Sequence, residues 1–189
     1  MARPVGPRGQ GRSRVLDAAL ELFAEHGVSG TSLQMIADHM GVTKAAVYYQ
    51  FQAKEQIVLA VLEPALTQMA AVVEAAEAAP SPGEAAEVTV QGLVDLMIDH
   101  RKVVAALAQD PEVGRVMESH EELRSLTERL GHLLGTSDPD PRRRVATSVL
   151  GAGLATAGTD PLLADIDDDV LRAEILRVCR LLLDAGASD

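Results

Sequence analysis

With 189 residues, 47 % of them hydrophobic, the chain can bury a full core in one or two domains, which excludes wholesale disorder. Aromatics are only 2 % with no Trp, so that core has to be aliphatic and leans helical, and the single Cys179 excludes an internal disulfide framework. The net charge of −11 is unevenly spread: residues 1–54 hold six Lys and Arg against four Asp and Glu, a net of +2, and the remainder carries −13. An anionic partner is therefore expected at the N-terminal end and repelled elsewhere.

Residues 1–11 are mostly Pro, Gly and Arg and read as a flexible basic arm, with no apolar stretch behind it to make a secretory signal. No apolar run reads as long enough to cross a bilayer, and no membrane partner is expected. From Arg12 to His26, Val15, Leu16, Ala19, Leu22 and Phe23 share one helical face, and Gly27 is placed to end the helix. Thr31 is placed to cap a second helix, with Gln34 completing a capping box. Leu33, Ile36, Ala37 and Met40 form its apolar face and Gly41 stops it. Thr43 caps a third helix to about Tyr49. A long fourth helix runs from Lys54 to about Ala79, ended by Pro80-Ser81-Pro82-Gly83. Five more helices are expected, over about 84–99, 101–109, 112–134, 141–158 and 168–186, separated by breakers such as Asp110-Pro111 and Asp160-Pro161. No strand pattern appears, so the expected fold class is all-α.

Helix, glycine-containing turn, short helix is the geometry of a helix-turn-helix. Ile36, Ala37, Met40, Val42 and Val47 supply a small core that sets the interhelical angle. Lys44, Ala45, Tyr48 and Tyr49 are left facing outward, a set that suits a DNA groove. Lys44 reaches a guanine edge or a phosphate, Ala45 allows close approach to a thymine methyl, and the tyrosines present hydroxyls and flat faces. Helix N-termini accept phosphates, and Thr31, Ser32, Thr43 and Lys54 lie beside three of them. Arg12 and Arg14 are placed to touch phosphates, while Arg3 and Arg8 read equally well as a minor-groove arm or a solvated tail.

Three blocks then stand in order: A-x-x-L-F-x-x-x-G from Ala19 to Gly27, T-S-x-x-x-I-A-x-x-x-G-V from Thr31 to Val42, and K-x-x-V-Y-Y-x-F-x-x-K-E from Lys44 to Glu55. Over residues 12 to about 62 the sequence resembles the DNA-binding domain of TetR/AcrR-type regulators. The resemblance implies a helix-turn-helix DNA-binding domain over 12–54 and a helical ligand-binding and dimerisation domain over 55–189. It also implies a homodimer that spaces two reading helices about one DNA turn, roughly 34 Å, apart. Thr43, Lys44, Ala45, Tyr48, Tyr49 and Lys54 would be the groove and phosphate contacts. Ala53 stands where the family often has a capping side chain, which should weaken the start of the fourth helix by about 1 kcal/mol. Gln50 stands where it often has His or another aromatic.

In the acidic remainder, small residues at Gly151-Ala152-Gly153, Ala155, Ala157 and Gly158 allow a second helix to come close. Together with Val170, Leu171, Ile175, Leu176, Val178, Leu181 and Leu182 they point to a four-helix dimer interface from about 141–158 and 168–186. Met69, Met97, His100, Met117 and His120 are the candidate ligand contacts, though each is more commonly core or surface. Asp95, Asp99 and His100 fix no coordination set, so neither a metal nor a cofactor is expected. There is no Gly-rich phosphate loop, no nucleophile elbow, no HExxH and no evident His partner for Cys179, so the chain is not expected to be an enzyme. The resemblance implies a repressor released from a palindromic double-stranded DNA operator by a small molecule, and the single Cys suits the cytoplasm. The alternative is a DNA-binding dimer controlled by a protein partner or not at all.

Overall fold

The computed structural model describes residues 10–107 and 110–187. Most of the expected basic arm, with Arg3 and Arg8, lies outside the described residues; Gln10 and Gly11 already belong to the first helix. Among the described residues the chain is helical throughout: α1 (Gln10–Gly30), α2 (Leu33–Met40), α3 (Lys44–Gln50), α4 (Lys54–Glu77), α5 (Pro82–Asp99), α6 (Arg101–Leu107), α7 (Pro111–Ser119), α8 (Glu121–Leu134), α9 (Pro141–Ala157) and α10 (Asp168–Ala187). A short 3₁₀ turn, Pro161–Leu163, joins α9 to α10.

The chain divides into two compact units. The first comprises residues up to Pro64 together with Ala105–Ser119. Its core collects Val15, Ala19, Leu22 and Phe23 of α1, Ile36 and Ala37 of α2, Val47 of α3, Phe51, and Ile57 and Val58 of α4. Val113 and Val116 of α7 are also buried, and α7 packs on α1. The second unit, Ala65–Val104 with His120 onward, is built on α10 against α9 and α5, and on α5 against α8. Its core joins Val90, Val94, Met97 and Ile98 of α5 to Leu150 and Leu154 of α9 and to Leu171, Leu176 and Cys179 of α10. Burial pushes the Cys179 thiol up, away from the reactive thiolate.

Two expectations need correction. The helix expected over 112–134 is two helices, broken at His120, whose backbone is extended (φ −97°, ψ 113°). Ser119 Oγ donates to the Val116 carbonyl, and Glu121 and Glu122 then favour a fresh helix N-terminus. Second, α4 is, by length and composition alone, long and apolar enough to cross a membrane, with a mean hydropathy of 1.6. Its apolar residues serve protein cores instead: Ile57, Val58 and Val61 are buried in the first unit, Val73 and Ala76 in the second. Just ahead of α4, Gln56 Oε1 accepts the Gln52 N–H at 2.9 Å.

One close approach in the second unit has a testable cost. A Cβ built on Gly92 of α5 would clash with both γ-methyls of Val72. Valine is stiff at χ1, so the clash cannot be relieved by rotating a flexible chain end. We expect Gly92→Ala to destabilise the protein by about 1–3 kcal/mol despite its better helix propensity. Chemical denaturation checks this; a variant as stable as the wild type would mean that α4 and α5 are free to separate there.

Candidate nucleic-acid interface

The reading unit is set by two glycines and two caps. At Gly27 the backbone turns to φ 72°, ψ 167°, so α1 is kinked and its last residues, Val28 to Gly30, form a separate turn. At Gly41 φ is 65° and ψ 35°, and its N–H closes the end of α2 on Ala37 and Asp38. A Cβ there would meet nothing within 4 Å, so the demand on Gly41 is the positive φ alone. Thr43 Oγ1 accepts the Ala46 N–H at 3.2 Å and starts α3. Ile36, Ala37 and Val47 are fully buried and lock α2 against α3; Met40 and Val42 are half-buried.

This packing turns the rest of α3 to solvent. Lys44, Ala45 and Ala46 are exposed, Tyr48 is 53 % exposed and Tyr49 84 %. Both phenylalanines of the chain are buried, at 1 % and 3 %, whereas both tyrosines stand outside on one short helix. A cavity-filling role for the tyrosines is therefore ruled out by where they are. Arg12 and Arg14 are also exposed. The Arg12 guanidinium lies 4.9 Å above the Phe51 ring, a stacked position that holds it beside the C-terminal end of α3.

Two of the expected contacts are placed otherwise. Ser32, not Thr31, caps α2, its Oγ accepting the Met35 N–H at 3.2 Å. Thr31 is only 3 % exposed, and its hydroxyl faces inward on the carbonyls of Gly27 at 2.7 Å and Leu22 at 3.3 Å. No capping box forms with Gln34, whose amide goes to Asp38. Lys54 is likewise turned inward. Its Nζ donates to the Val28 carbonyl at 2.7 Å and the Thr31 carbonyl at 3.1 Å, and pairs with Glu112 at 3.0 Å. A side chain held by three acceptors and 18 % exposed is a strut, not a phosphate contact.

Sequence reading missed the residues on the other side of that strut. Asp110 Oδ2 accepts the Ser29 N–H at 2.8 Å, while Oδ1 accepts the Ser29 hydroxyl at 2.7 Å and the Glu112 N–H at 2.8 Å. Burial works to raise the Asp110 pKa, but hydrogen bonds from Ser29, Glu112 and Val28 outweigh it and hold the carboxyl below its ordinary value. Asp110-Pro111-Glu112 does carry a helix-start signature, with an acid ahead of a first-turn proline. Nothing local reveals that its partner lies 81 residues upstream.

Four of the five candidate ligand contacts belong to the second unit. Met97 is 4 % exposed in the second core, packed on Gly158. His100 Nε2 is bonded to Gln68 at 2.9 Å, Met69 is half-buried on α4, and His120 is exposed. Met117 belongs to the first unit. Asp95 and Asp99 both pair with Arg172, at 2.9 and 3.2 Å, so the acidic face of α5 serves an arginine. Among the described residues no group of three or more His, Cys, Asp or Glu is placed to hold a metal.

Residues 15–61 match the family model for bacterial regulatory proteins of the tetR family. The chain is 49 % identical over 51 residues to the HTH-type transcriptional regulator SrpR of Pseudomonas putida, which covers 27 % of this chain. That stretch spans 24 % of SrpR, so the chain matches about a quarter of that relative's length. Over nearly the whole chain the fold matches solved structures. The ketosteroid transcriptional regulator KstR2 of Mycobacterium tuberculosis gives a TM-score of 0.69 at 18 % identity, covering 97 % of this chain and 96 % of its own. A TetR/AcrR-family regulator from Thermobifida fusca gives 0.56 at 29 % identity, covering 93 % and 97 %. Residues 15–61 therefore carry a tetR-type DNA-binding domain, and the fold of the chain is that of solved TetR/AcrR regulators. SrpR and the Thermobifida fusca relative are both named as transcriptional regulators.

Proposed function

We propose that the chain is a homodimeric, DNA-binding repressor that reads a palindromic operator through α3 and is released from it by a small molecule. The observation that carries DNA reading is the outward pair Tyr48 and Tyr49 beside Lys44, in a chain that buries both of its other aromatics. Ser32 and Thr43, at the starts of α2 and α3, would take phosphates, and Arg12 and Arg14 would add to them. Thr31 and Lys54 drop out of the contact set. The reading places the protein in the cytoplasm, with its operator.

The dimer rests on a second observation. On α9, Val145 (63 % exposed) and Val149 (54 %) continue into exposed Ala152, Gly153 and Thr156 along one side of the helix. On α10, Val170, Val178 and Leu181 are exposed at about half their surface. Gly151 and Gly153 have open space where a Cβ would point, room for a second helix. The expected interface set is halved, however: Leu171, Ile175, Leu176 and Leu182 pack within their own unit, and Gly158 is closed by Met97. Val149→Asp with Leu181→Asp should convert the dimer to monomer in sedimentation and abolish tight operator binding. A variant that still sediments as a dimer would place the interface elsewhere.

For the effector, the second unit offers a half-open cleft of about 360 Å³ lined by Arg143 and Thr147 of α9, Arg180 and Leu183 of α10, and Ala86 of α5. That volume lies at the small end of ligand sites. The packed state of Met97 and the bonded state of His100 favour the second reading, a dimer without a small-molecule ligand, over a pocket at those residues. The experiment for the main reading is enrichment of bound duplexes from a random pool by the full chain, followed by a thermal-shift screen of small molecules. An enriched inverted repeat whose binding is lost with a stabilising compound supports it. No enrichment overturns DNA reading, and enrichment with no shift supports the ligand-free reading.

A further inference from the structure

We propose that Asp110 and Glu112, outside the contiguous three-helix module, are positioning residues for DNA reading that hold the α1–α2 turn and the Lys54 strut in register. The inference rests on the DNA-reading function proposed above. The kink at Gly27 breaks the helical φ/ψ of α1, and the turn after it presents the Ser29 N–H and hydroxyl and the Val28 and Thr31 carbonyls to partners distant in sequence. Asp110 takes the donors, through Ser29 N–H at 2.8 Å and Ser29 Oγ at 2.7 Å. Lys54 takes the acceptors, at 2.7 and 3.1 Å, and Glu112 takes Lys54 at 3.0 Å. The clasp is closed on itself, because Asp110 Oδ1 also accepts the Glu112 N–H at 2.8 Å. It also fits closely, since a Cβ at Gly27 would lie 3.0 Å from Asp110 Oδ2.

The turn so held leads directly into Ser32, the cap of α2, and through α2 into α3. Lys54 and Glu112 are 18 % and 20 % exposed, and a pair this buried gains little net stability over apolar replacements. What such a pair supplies is one specified geometry, since a buried charge tolerates few arrangements of its partners. Sequence-specific reading needs that geometry to within tenths of an ångström, whereas sequence-independent attraction to phosphates does not.

The test uses the full chain with Asp110→Asn, Glu112→Gln and the milder Ser29→Ala. Affinity is measured by fluorescence anisotropy for a duplex the wild type enriches and for a random duplex, well below each unfolding midpoint. Gly92→Ala serves as a comparator destabilised in the other unit. We expect Asp110→Asn and Glu112→Gln to lose about tenfold or more in specific affinity, on the scale of one lost base contact. Binding to the random duplex and its salt slope should stay near wild type, and Ser29→Ala should lose less in the same direction. Specific affinity within about twofold of wild type for the folded variants, or equal loss on both duplexes, or the same loss in Gly92→Ala, would overturn the inference. Should Asp110→Asn and Glu112→Gln not fold, Ser29→Ala decides alone. A wild type that binds no duplex would overturn the DNA-reading function together with this inference, which separates the two failures.

Discussion

Lys44→Ala and Tyr48→Ala are each expected to weaken operator binding by about tenfold or more while leaving the dimer intact. A single lost base contact costs about 1–3 kcal/mol, and a symmetric dimer loses it at both half-sites. Both side chains stand free of the packing that holds α3, which depends on Val47 at full burial and on the Thr43 cap. Truncating them should therefore leave stability within about 0.5 kcal/mol of wild type, as surface substitutions do. The two losses should differ in kind. If Lys44 neutralises a phosphate, its removal lowers the salt slope by about 1 per half-site and weakens all sequences alike. Tyr48→Ala should instead relax the sequence preference. Gel shifts over a salt series check both, and unchanged affinity in both variants would move the reading face off α3.

Phe23→Ala is expected to be the most destabilising single change in the first unit, at about 3–5 kcal/mol. Phe23 is 1 % exposed, and with Phe51 it is one of two aromatics in a core otherwise made of aliphatic side chains. Set against a typical net stability of about 5–15 kcal/mol, the loss takes a large share of what holds the unit together. Urea unfolding should show a lower midpoint at an unchanged m-value, and DNA binding should fall with the folded fraction. A change below about 1 kcal/mol would mean that the surrounding core collapses into the space.

The helices of the reading unit were legible because their signals are local. The spacing of Val15, Ala19, Leu22 and Phe23, the stops at Gly27 and Gly41 and the cap at Thr43 each act within a turn or two of chain, and the structure places all of them as expected. The outward set on α3 followed from the same periodicity. Where two adjacent residues could serve, spacing could not choose. Thr31 and Ser32 both suit a cap, and the kink at Gly27 decides it by drawing the Thr31 hydroxyl onto its own carbonyl. Lys54 looked free because lysines near a helix start commonly are. Its three acceptors come from the α1–α2 turn and from α7, so no local pattern could reveal them. The division of labour on α10 was hidden for a related reason. Leu171 and Leu176 differ from Val178 and Leu181 only in which neighbour the helix meets, and the apolar pattern runs right round them. His100 and Met97 carried no signal that separates a pocket from a filled core.

The most direct test of the central claim is a hydroxyl-radical footprint of the full chain on a duplex enriched from a random pool, repeated with Lys44→Ala/Tyr48→Ala. The account predicts two protected segments on one face of the DNA, centred about 10–10.5 base pairs or a multiple apart, and their loss in the double variant. Protection that is continuous, single-sited or unchanged in that variant would contradict it.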